Sequence, residues 1–390
     1  KVDAIRHNSA TSDAITTASD GTCTAKLTSI GGGGLSHRNI IINGAMNVSQ
    51  RGTSFTSLGS EYTVDRFRYT ENIDTGVVTV TQESITDLPG FTKAAKINCT
   101  TAEAGVPSKA GSKFAAFNTK LEGQDLQQLA YGTSSAKQIT LSFYVKSNVT
   151  GTFCVSLYKG DQTARNVSLG YTINSANTWE RKTLTFPADT GGGGIDNDNG
   201  SGLEIYWVVA RQQGYQGATS TTWGNNTDAR FANLCTATIF ENTNDHIMFT
   251  GVQLEVGDIA TSFEHRSYGD ELQRCRRYYQ VLVDQAGGSS QKSFAIACAY
   301  SSTSMHSTHL LSPEMRAVPT LDYTTGTDYY RAFSNGSSDP FNSMQIVGNS
   351  HPHAVDLAVF SGDGVSVTAG SAVLIRTYNS AAKIAFTAEL

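Results

Sequence analysis

Residues 138–146 read QITLSFYVK, in which apolar side chains alternate with smaller or polar ones. Ile139, Leu141, Phe143 and Val145 therefore fall on one face of an extended chain, as in a strand that covers a core. Residues 152–158 (TFCVSLY) alternate in the same way after a short polar stretch. Two neighbouring strands of this kind predict an antiparallel sheet.

Similar segments surround this pair at short intervals. We predict further strands at 39–44 (NIIING, closed by an Asn43-Gly44 turn), 76–82, 96–99, 178–186, 203–210 and 246–254. The chain of 390 residues has 37 glycines but only 7 prolines, which favours many turns between short strands. The sequence therefore predicts an all-β protein whose residues 35–266 form a jelly-roll-like β-sandwich.

One segment departs from this pattern. Residues 267–279 (SYGDELQRCRRYY) carry acidic side chains early and arginines late, an order that complements a helix dipole. Ser267 or Asp270 is the expected cap. We assign a linking helix to 267–284 and a smaller C-terminal β domain to 285–390, with strands at 294–300, 356–360, 372–377 and 382–386.

The polar N-terminal segment, residues 1–34, ends in four glycines, Gly31 to Gly34. It has too few large apolar side chains to form a core, so we expect an extended connector with a flexible glycine joint.

Charge and cysteine content exclude several classes of protein. The net charge of −5 argues against a nucleic-acid partner. The six cysteines form no CxxC pair, so we expect reduced, buried thiols. No apolar run is long enough to span a membrane and no signal-peptide core is found at the start, which predicts synthesis as a soluble protein without membrane insertion.

Two segments, RNIIINGAMNVSQRG at 38–52 and YTVDRF at 62–67, stand out by their order and spacing. They resemble tail-fibre and related virion structural proteins of marine phages, including cyanophages. Others are FTGVQLEVG at 249–257, ATSFE at 260–264, CRRYY at 275–279, PEMRAVP at 313–319 and AEL at 388–390, with VDAIRHNSATSDAIT at 2–16 similar to a connector of cyanophage fibres. From the residues alone, Asp65 and Arg66 are expected to form a local ion pair.

The resemblance implies a homotrimeric tail-fibre subunit, located in the tail of the virion and assembled in the host cytoplasm. It implies that the N-terminal segment joins other phage tail proteins and that the C-terminal domain is the host-facing tip. The expected activity is adsorption to the bacterial surface through a glycan or protein receptor. A tailspike glycan depolymerase and a purely structural tail or capsid-decoration protein are the alternatives.

A hydrolytic site for glycans requires two carboxylates close together. The candidates are Asp196 and Asp198 with Glu204, and Asp322 with Asp328. Aspartates among glycines and asparagines commonly serve turns, so we expect no enzyme. Residues 196–200 (DNDNG) also suggest calcium, but the spacing does not fit an EF loop and a solvated loop is favoured.

Two histidines, His351 and His353, flank Pro352. Residues two apart project to the same side of an extended strand. In a trimer such residues would supply six imidazoles around the axis, which suits a transition metal, and the resemblance includes fibres with this motif. A loop around Pro352 is the alternative. No other cofactor is expected.

Aromatic side chains in polar, loop-like surroundings are candidate sugar platforms, because exposed rings stack on sugar faces. The predicted ligand-binding residues are Tyr329, Tyr330 and Phe333, with Asp328 and Asn335 as hydrogen-bonding neighbours. Packing of loops or subunit interfaces is an equal alternative for Tyr329 and Tyr330. It is favoured for Phe333 and for Tyr215 and Trp223, which have similar surroundings.

Overall fold

The computed structural model of the chain describes residues 4–5, 15–17, 19, 23–25, 36–56, 58–217, 220–288, 291–360 and 365–390. In these ranges the chain forms short antiparallel strands, one α-helix and three 3₁₀ helices, Val106–Ser108, Gly123–Leu129 and Gln213–Tyr215. The predicted all-β class is confirmed.

The N-terminal segment contributes one small sheet. Its strands, β1 (Ala4–Ile5), β2 (Ile15–Thr17) and β3 (Cys23–Ala25), pair antiparallel in sequence order. The predicted glycine joint at 31–34 lies outside the described residues, and the role of residues 1–34 as a connector stays a prediction.

A sandwich of two antiparallel sheets follows, as predicted. Its strands in chain order are β4 (Ser54–Thr56), β5 (Ser60–Tyr62), β6 (Phe67–Glu71), β7 (Val77–Ser84), β8 (Lys93–Thr101), β9 (Phe114–Glu122), β10 (Ile139–Ser147), β11 (Gly151–Lys159), β12 (Arg165–Ile173), β13 (Glu180–Phe186), β14 (Ser201–Arg211), β15 (Gly224–Asn225) and β16 (His246–Val256). One sheet has six strands in the order β13-β10-β16-β8-β7-β4, and the other has seven in the order β15-β12-β11-β14-β9-β6-β5.

The core lies between these sheets. Ile139, Leu141 and Phe143 of β10 are fully buried, as their alternation predicts. Trp207 of β14 faces them from the other sheet, with its ring centroid 6.0 Å from Phe143 and 6.1 Å from Phe249. Each such side chain contributes about 1.5–3 kcal/mol on burial.

The strand predicted at 39–44 is wrong, because side chains satisfy the backbone there. The amide oxygen of Asn39 accepts from the backbone N–H of Ile41 at 3.0 Å and of Leu254 at 3.1 Å. Asn43, at a φ of 61°, donates from its side chain to the carbonyls of Val48 (2.8 Å) and Asp65 (2.9 Å). The segment has no regular secondary structure and is hydrogen-bonded to the end of β16.

The predicted helix is confirmed in part. Helix α1 (Tyr268–Arg276) begins after Ser267, whose hydroxyl accepts from the backbone N–H of Asp270 at 3.2 Å. The linking helix assigned to 267–284 is wrong beyond Arg276. Residues 279–284 (YQVLVD) form a strand, since their apolar side chains pack into the C-terminal core and their backbone pairs with the last strand of the chain.

The C-terminal unit contains two antiparallel sheets. Its strands are β17 (Tyr279–Asp284), β18 (Ser293–Ser301), β19 (Ser304–Leu310), β20 (Thr320–Tyr323), β21 (Tyr330–Ser334), β22 (Ser337–Phe341), β23 (Gln345–Ile346), β24 (Ala354–Val359), β25 (Ala372–Thr377) and β26 (Lys383–Thr387). The first sheet has the order β17-β26-β20, and the second β22-β21-β25-β18-β19-β24-β23. A separate cluster of buried residues, including Met305, Val373 and Ile384, forms its core.

An ionic clamp joins the two units. The carboxylate of Glu389 accepts from Arg51 Nη2 at 3.0 Å and also pairs with Arg66. The guanidinium carbons of these arginines lie over aromatic rings, Arg51 at 3.7 Å from the centroid of Tyr279 and Arg66 at 3.4 Å from that of Tyr278. We call Arg51, Arg66, Tyr278, Tyr279 and Glu389 the junction clamp.

The expected ion pair between Asp65 and Arg66 is wrong, because each side chain has a different partner. Asp65 is buried and accepts from the backbone N–H of Gln50 at 2.8 Å, with Arg51 at 3.9 Å. Arg66 turns towards Glu389 instead. Asp65 therefore holds the segment around Asn43 and Gln50, and Arg66 is part of the junction clamp.

Among the described cysteines, Cys99, Cys154, Cys235, Cys275 and Cys298 are free, as expected. The first four are buried, whereas Cys298 is exposed because it points outward from β18. No helix in the described ranges is long and apolar enough to cross a membrane.

Candidate functional site

A long connection between β14 and β16 crosses the outer face of the seven-stranded sheet of the sandwich. Backbone and hydroxyl hydrogen bonds fix it to the strands below. The N–H of Ser168 donates to the carbonyl of Ser220 at 2.7 Å, and the N–H of Ala232 donates to Ser156 Oγ at 3.1 Å. The hydroxyls of Ser156 and Ser168 are 2.8 Å apart. Small polar residues on the strands thus anchor the connection.

A cleft of about 180 Å³ opens where this connection meets the sheet. Most of its lining is aromatic, and its polar residues stand at the exposed rim. The lining residues are Phe114, Tyr158, Tyr206, Tyr215, Asn226, Asp228 and Phe231. We call this the aromatic cleft.

Phe231 occupies the centre of the aromatic cluster and is 8% exposed. Its ring centroid lies 5.1 Å from that of Phe114, 5.1 Å from that of Tyr206 and 5.9 Å from that of Tyr215. The rings meet edge to face or tilted, which is the favourable arrangement for aromatic pairs. The rings of the cluster therefore pack favourably on one another.

Some polar groups of the cleft have hydrogen-bond partners within the protein, and others are exposed to solvent. The hydroxyl of Tyr206 donates to Glu204, which also lies 3.3 Å from Lys120 Nζ. Burial and then the nearby Asp228 carboxylate raise the pKa of Tyr215 to about 12. Its hydroxyl is therefore a protonated donor at neutral pH. Asn226 and Asp228 are exposed.

This arrangement suits binding to a small ring with one apolar face and several hydroxyls. Tyr158 and Tyr206 are half-buried and offer ring surface. At the rim, Asp228 offers a carboxylate and Asn226 offers its amide N–H groups, since the amide oxygen of Asn226 already accepts from Asn166 Nδ2 at 2.8 Å. Glu204 is occupied by Tyr206 and Lys120, so the cleft holds no unengaged pair of carboxylates.

Of the two loop aromatics considered in this region, only Tyr215 enters the cleft. Trp223 packs a loop, as favoured from the sequence. Its indole N–H donates to the carbonyl of Pro187 at 2.8 Å, and its ring meets Tyr131 edge to face at 5.6 Å.

The ligand-binding residues predicted in the C-terminal domain are not all brought together. Tyr330 is fully buried and its hydroxyl donates to the carbonyl of Thr324 at 2.7 Å, so it presents no exposed ring face. Tyr329 is half-buried, and the backbone N–H of Asp328 donates to the side chain of Asn342 at 3.0 Å.

Phe333 and Asn335 do lie together. They line a groove of about 600 Å³ on the outer face of the large C-terminal sheet, beside Ile296, which is 76% exposed. Asn335 stands at the tip of the β21–β22 turn with a φ of 50°. Ligand contact at this groove stays a prediction.

His351 and His353 belong to a tight turn rather than a strand, because the backbone of His351 bridges to Ala354. Both are exposed and their ring centroids are 4.0 Å apart. Within the described part of a single chain, no group of three metal-ligating side chains is found. A metal shared between chains stays a prediction.

The carboxylates considered for hydrolysis are used in local structure. Asp196 Oδ1 accepts from Gln162 Nε2 at 2.6 Å, and Asp198 Oδ1 accepts from the N–H of Gly200 at 2.9 Å. Asp322 accepts from the hydroxyl of Tyr279 at 2.8 Å. These contacts are typical of turn and packing residues.

A cavity of about 640 Å³ also lies at the junction of the two units. Its arginines are already engaged. Arg277 forms a bidentate pair with Glu122 at 2.7 and 2.8 Å, and Arg316 donates to the carbonyls of Asn199, Ala388 and Glu389. The aromatic cleft is the better candidate because its groups face solvent.

No family model and no curated protein matches the chain. Solved structures with some similarity include the enzymatically active domain of tailspike protein 4 of bacteriophage CBA120 (16% identity, TM-score 0.31), which aligns over 56% of this chain and 21% of its own. The CBM22-1 xylan-binding domain from Paenibacillus barcinonensis Xyn10C aligns over 57% of this chain and 96% of its own (8%, TM-score 0.27). A family 11 carbohydrate-binding module from Clostridium thermocellum aligns over 55% of this chain and 98% of its own, with 11% identity and a TM-score of 0.25. Similarity this low assigns no function.

Proposed function

We propose that the chain is a non-enzymatic, glycan-binding subunit of a phage tail fibre and that the aromatic cleft holds a sugar ring. The observation that carries the proposal is the convergence of Phe114, Tyr158, Tyr206, Tyr215 and Phe231 on one cleft of the outer sheet face. The segments that resemble phage fibre proteins support the virion location.

The chemistry of the cleft favours a saccharide over an apolar ligand. A pyranose has C–H groups on one face, which stack on aromatic rings, and hydroxyls at its edge, which need donors and acceptors. The rim supplies both through Asn226, Asp228 and the tyrosine hydroxyls. An entirely apolar molecule would make no use of these rim groups.

Affinity at a single cleft of this size is weak. At about 0.3 kcal/mol per non-hydrogen atom, a hexose of about twelve such atoms gains about 4 kcal/mol, a Kd on the order of 1 mM. A homotrimer presents three clefts, and linked sites raise apparent affinity by about 10²–10⁴-fold. Trimerisation and adsorption to a repetitive surface polysaccharide are therefore part of the proposal.

The non-enzymatic assignment is supported by the state of the carboxylates. Glycan hydrolysis requires one carboxyl group as acid and another as base or nucleophile, with a gap for the substrate. Asp196, Asp198, Glu204 and Asp322 each have local hydrogen-bond partners instead.

The test is retention and size analysis of host surface polysaccharide with the purified chain and its variants. Tyr158→Ala and Tyr206→Ala remove stacking surface from the cleft and should weaken retention at least tenfold. Tyr268→Ala is the control, since Tyr268 is 59% exposed on α1, outside the cleft. The polysaccharide should keep its length.

Three results would contradict the proposal. Equal retention by both cleft variants would remove the cleft as the site. Shortening of the polysaccharide would indicate a depolymerase. If the purified chain labels host cells but does not bind their polysaccharide, the receptor is a protein.

A further inference from the structure

Two arginines lie directly opposite each other on the outer face of the large C-terminal sheet. Arg331 of β21 pairs in register with Arg376 of β25. Side chains at such positions have Cβ atoms about 4.5–5.5 Å apart, and like charges placed there destabilise a sheet. The arrangement is therefore unfavourable unless another group compensates.

No carboxylate compensates within the described ranges. Neither arginine forms an ion pair there, whereas Lys383 of the same unit approaches Asp284 at 4.0 Å. The polar contacts of the two arginines are to serines: Arg331 Nη1 donates to Ser338 Oγ at 3.2 Å, and Arg376 Nε donates to Ser293 Oγ at 3.2 Å. Arg331 Nε is buried without a hydrogen-bond partner, so the N–H groups left for other acceptors are the remaining Nη groups of Arg331 and those of Arg376.

Both guanidinium groups are held on aromatic rings. The Cζ atom of Arg331 lies 3.8 Å from the ring centroid of Tyr378, and that of Arg376 lies 4.8 Å from the ring centroid of Phe333. Stacking covers a face of each guanidinium and leaves its edge, where the N–H groups lie, for an oxyanion. The charges are thus held in position before any ligand arrives.

The groove beside this pair supplies complementary surface. Phe333 carries the guanidinium of Arg376 on its ring and also lines the groove of about 600 Å³. The groove is further lined by Ile296, Leu374, Asn335 and Ser338. It combines apolar side chains with an exposed amide at one turn. A sugar ring in the groove would therefore place an acidic substituent next to Arg376.

We propose that Arg331, Arg376 and this groove bind an acidic saccharide, with its carboxylate or phosphate against the guanidinium edges. An oxyanion at either guanidinium edge offsets the like-charge cost and gains charge-assisted hydrogen bonds. The site lies in the C-terminal unit and stands independently of the aromatic cleft in the sandwich.

The experiment is calorimetric titration of the full chain with oligogalacturonate at low and physiological salt. Methyl-esterified oligogalacturonate is the matched neutral ligand, since it keeps the sugar ring and loses the charge. Arg331→Gln and Arg376→Gln should each weaken oligogalacturonate binding at least tenfold. Arg274→Gln, which removes one charge from the exposed face of α1, should leave it unchanged. Inorganic phosphate as competitor shows whether a tetrahedral oxyanion is also accepted.

The outcomes separate this site from the proposed function of the cleft. Tyr206→Ala should leave oligogalacturonate binding intact, because the cleft is in the other unit. Equal binding of the esterified and acidic oligomers, or equal weakening by Arg274→Gln, would overturn the proposal. So would arginine variants that change the oligomeric mass of the chain without changing ligand binding, which would identify the pair as a subunit contact.

Discussion

Substitution of Glu389 by glutamine is the most direct test of how the two units are held together. The change keeps the shape of the side chain and removes the only negative charge of the junction clamp. Arg51 and Arg66 then remain at the interface without the carboxylate between them. The side chains of Arg66 and Glu389 are only 2% and 7% exposed.

The magnitude follows from this burial. Removing one partner of a buried ion pair costs about 3–5 kcal/mol, because the remaining charge stays desolvated. Arg51 keeps its stacking on Tyr279 and the carboxylate of Asp65 at 3.9 Å, and Arg66 keeps its stacking on Tyr278. We therefore expect the lower end of the range, about 3 kcal/mol.

Urea unfolding followed by two signals resolves the effect by unit. The three tryptophans, Trp179, Trp207 and Trp223, all belong to the sandwich, so their fluorescence reports on that unit alone. Far-UV circular dichroism also reports on the C-terminal strands. In the parent chain the two curves should coincide, whereas in Glu389→Gln the dichroism curve should fall at least about 1 M earlier in urea.

Glu314→Gln is the matched control. Glu314 is exposed on the same unit and has no ion-pair partner among the described residues. Its substitution should change stability by less than about 0.5 kcal/mol. If Glu389→Gln behaves like Glu314→Gln in both signals, the clamp does not couple the units and the reasoning is refuted.

Three other substitutions test individual contacts. Burial raises the pKa of Glu71 to about 7, so the free energy of unfolding should fall as pH rises from about 4.3, the pKa of an unfolded Glu, to about 7. Glu71→Gln should abolish this fall and add about 2 kcal/mol at pH 8, measured by urea unfolding at pH 4 and pH 8. Lys159 and Asp189 are both fully buried with Nζ 3.3 Å from Oδ2, and Asp189 Oδ1 also accepts from Arg165 Nε at 3.0 Å. Because Asp189 keeps Arg165, Lys159→Met should cost no more than about 3 kcal/mol in thermal unfolding, and adding Asp189→Asn should destabilise the chain further, since Arg165 then loses its carboxylate. Asn43→Ala removes two buried hydrogen bonds to backbone carbonyls and places alanine at a positive φ, so it should cost about 3 kcal/mol. Asn43→Gly loses the same hydrogen bonds but tolerates the positive φ, so it should cost less.

The strands that the sequence predicted best are those whose side chains alternate. Residues 138–146 and 372–377 correspond to β10 and β25 within one residue at either end. The apolar run at 39–44 failed because its backbone is satisfied by the side chains of Asn39 and Asn43, which a periodicity argument does not detect. The end of the predicted helix failed because Tyr279 and its successors pair with β26, a partner about a hundred residues away.

The aromatic cleft was only partly predictable. Tyr215 was noted for its loop-like surroundings, but Phe114, Tyr206 and Phe231 belong to β9, β14 and the connection after β14, and only the tertiary fold brings them together. One signal was present in the sequence. Tyr206 is an aromatic residue at an outward position of β14, between inward Ile205 and Trp207, where a polar residue is usual.

The segments quoted at 38–52, 62–67, 275–279 and 388–390 explain why the sequence indicated an architecture more readily than a ligand. Arg51, Arg66, Tyr278, Tyr279 and Glu389 come from four of those segments, and all five meet in the junction clamp. Their chemistry is that of holding two β-units in fixed relative position. The aromatic cleft and the arginine pair lie on outer sheet faces, where a substitution does not disturb the clamp. Variants at the clamp should therefore alter unfolding, and variants on the outer faces should alter binding.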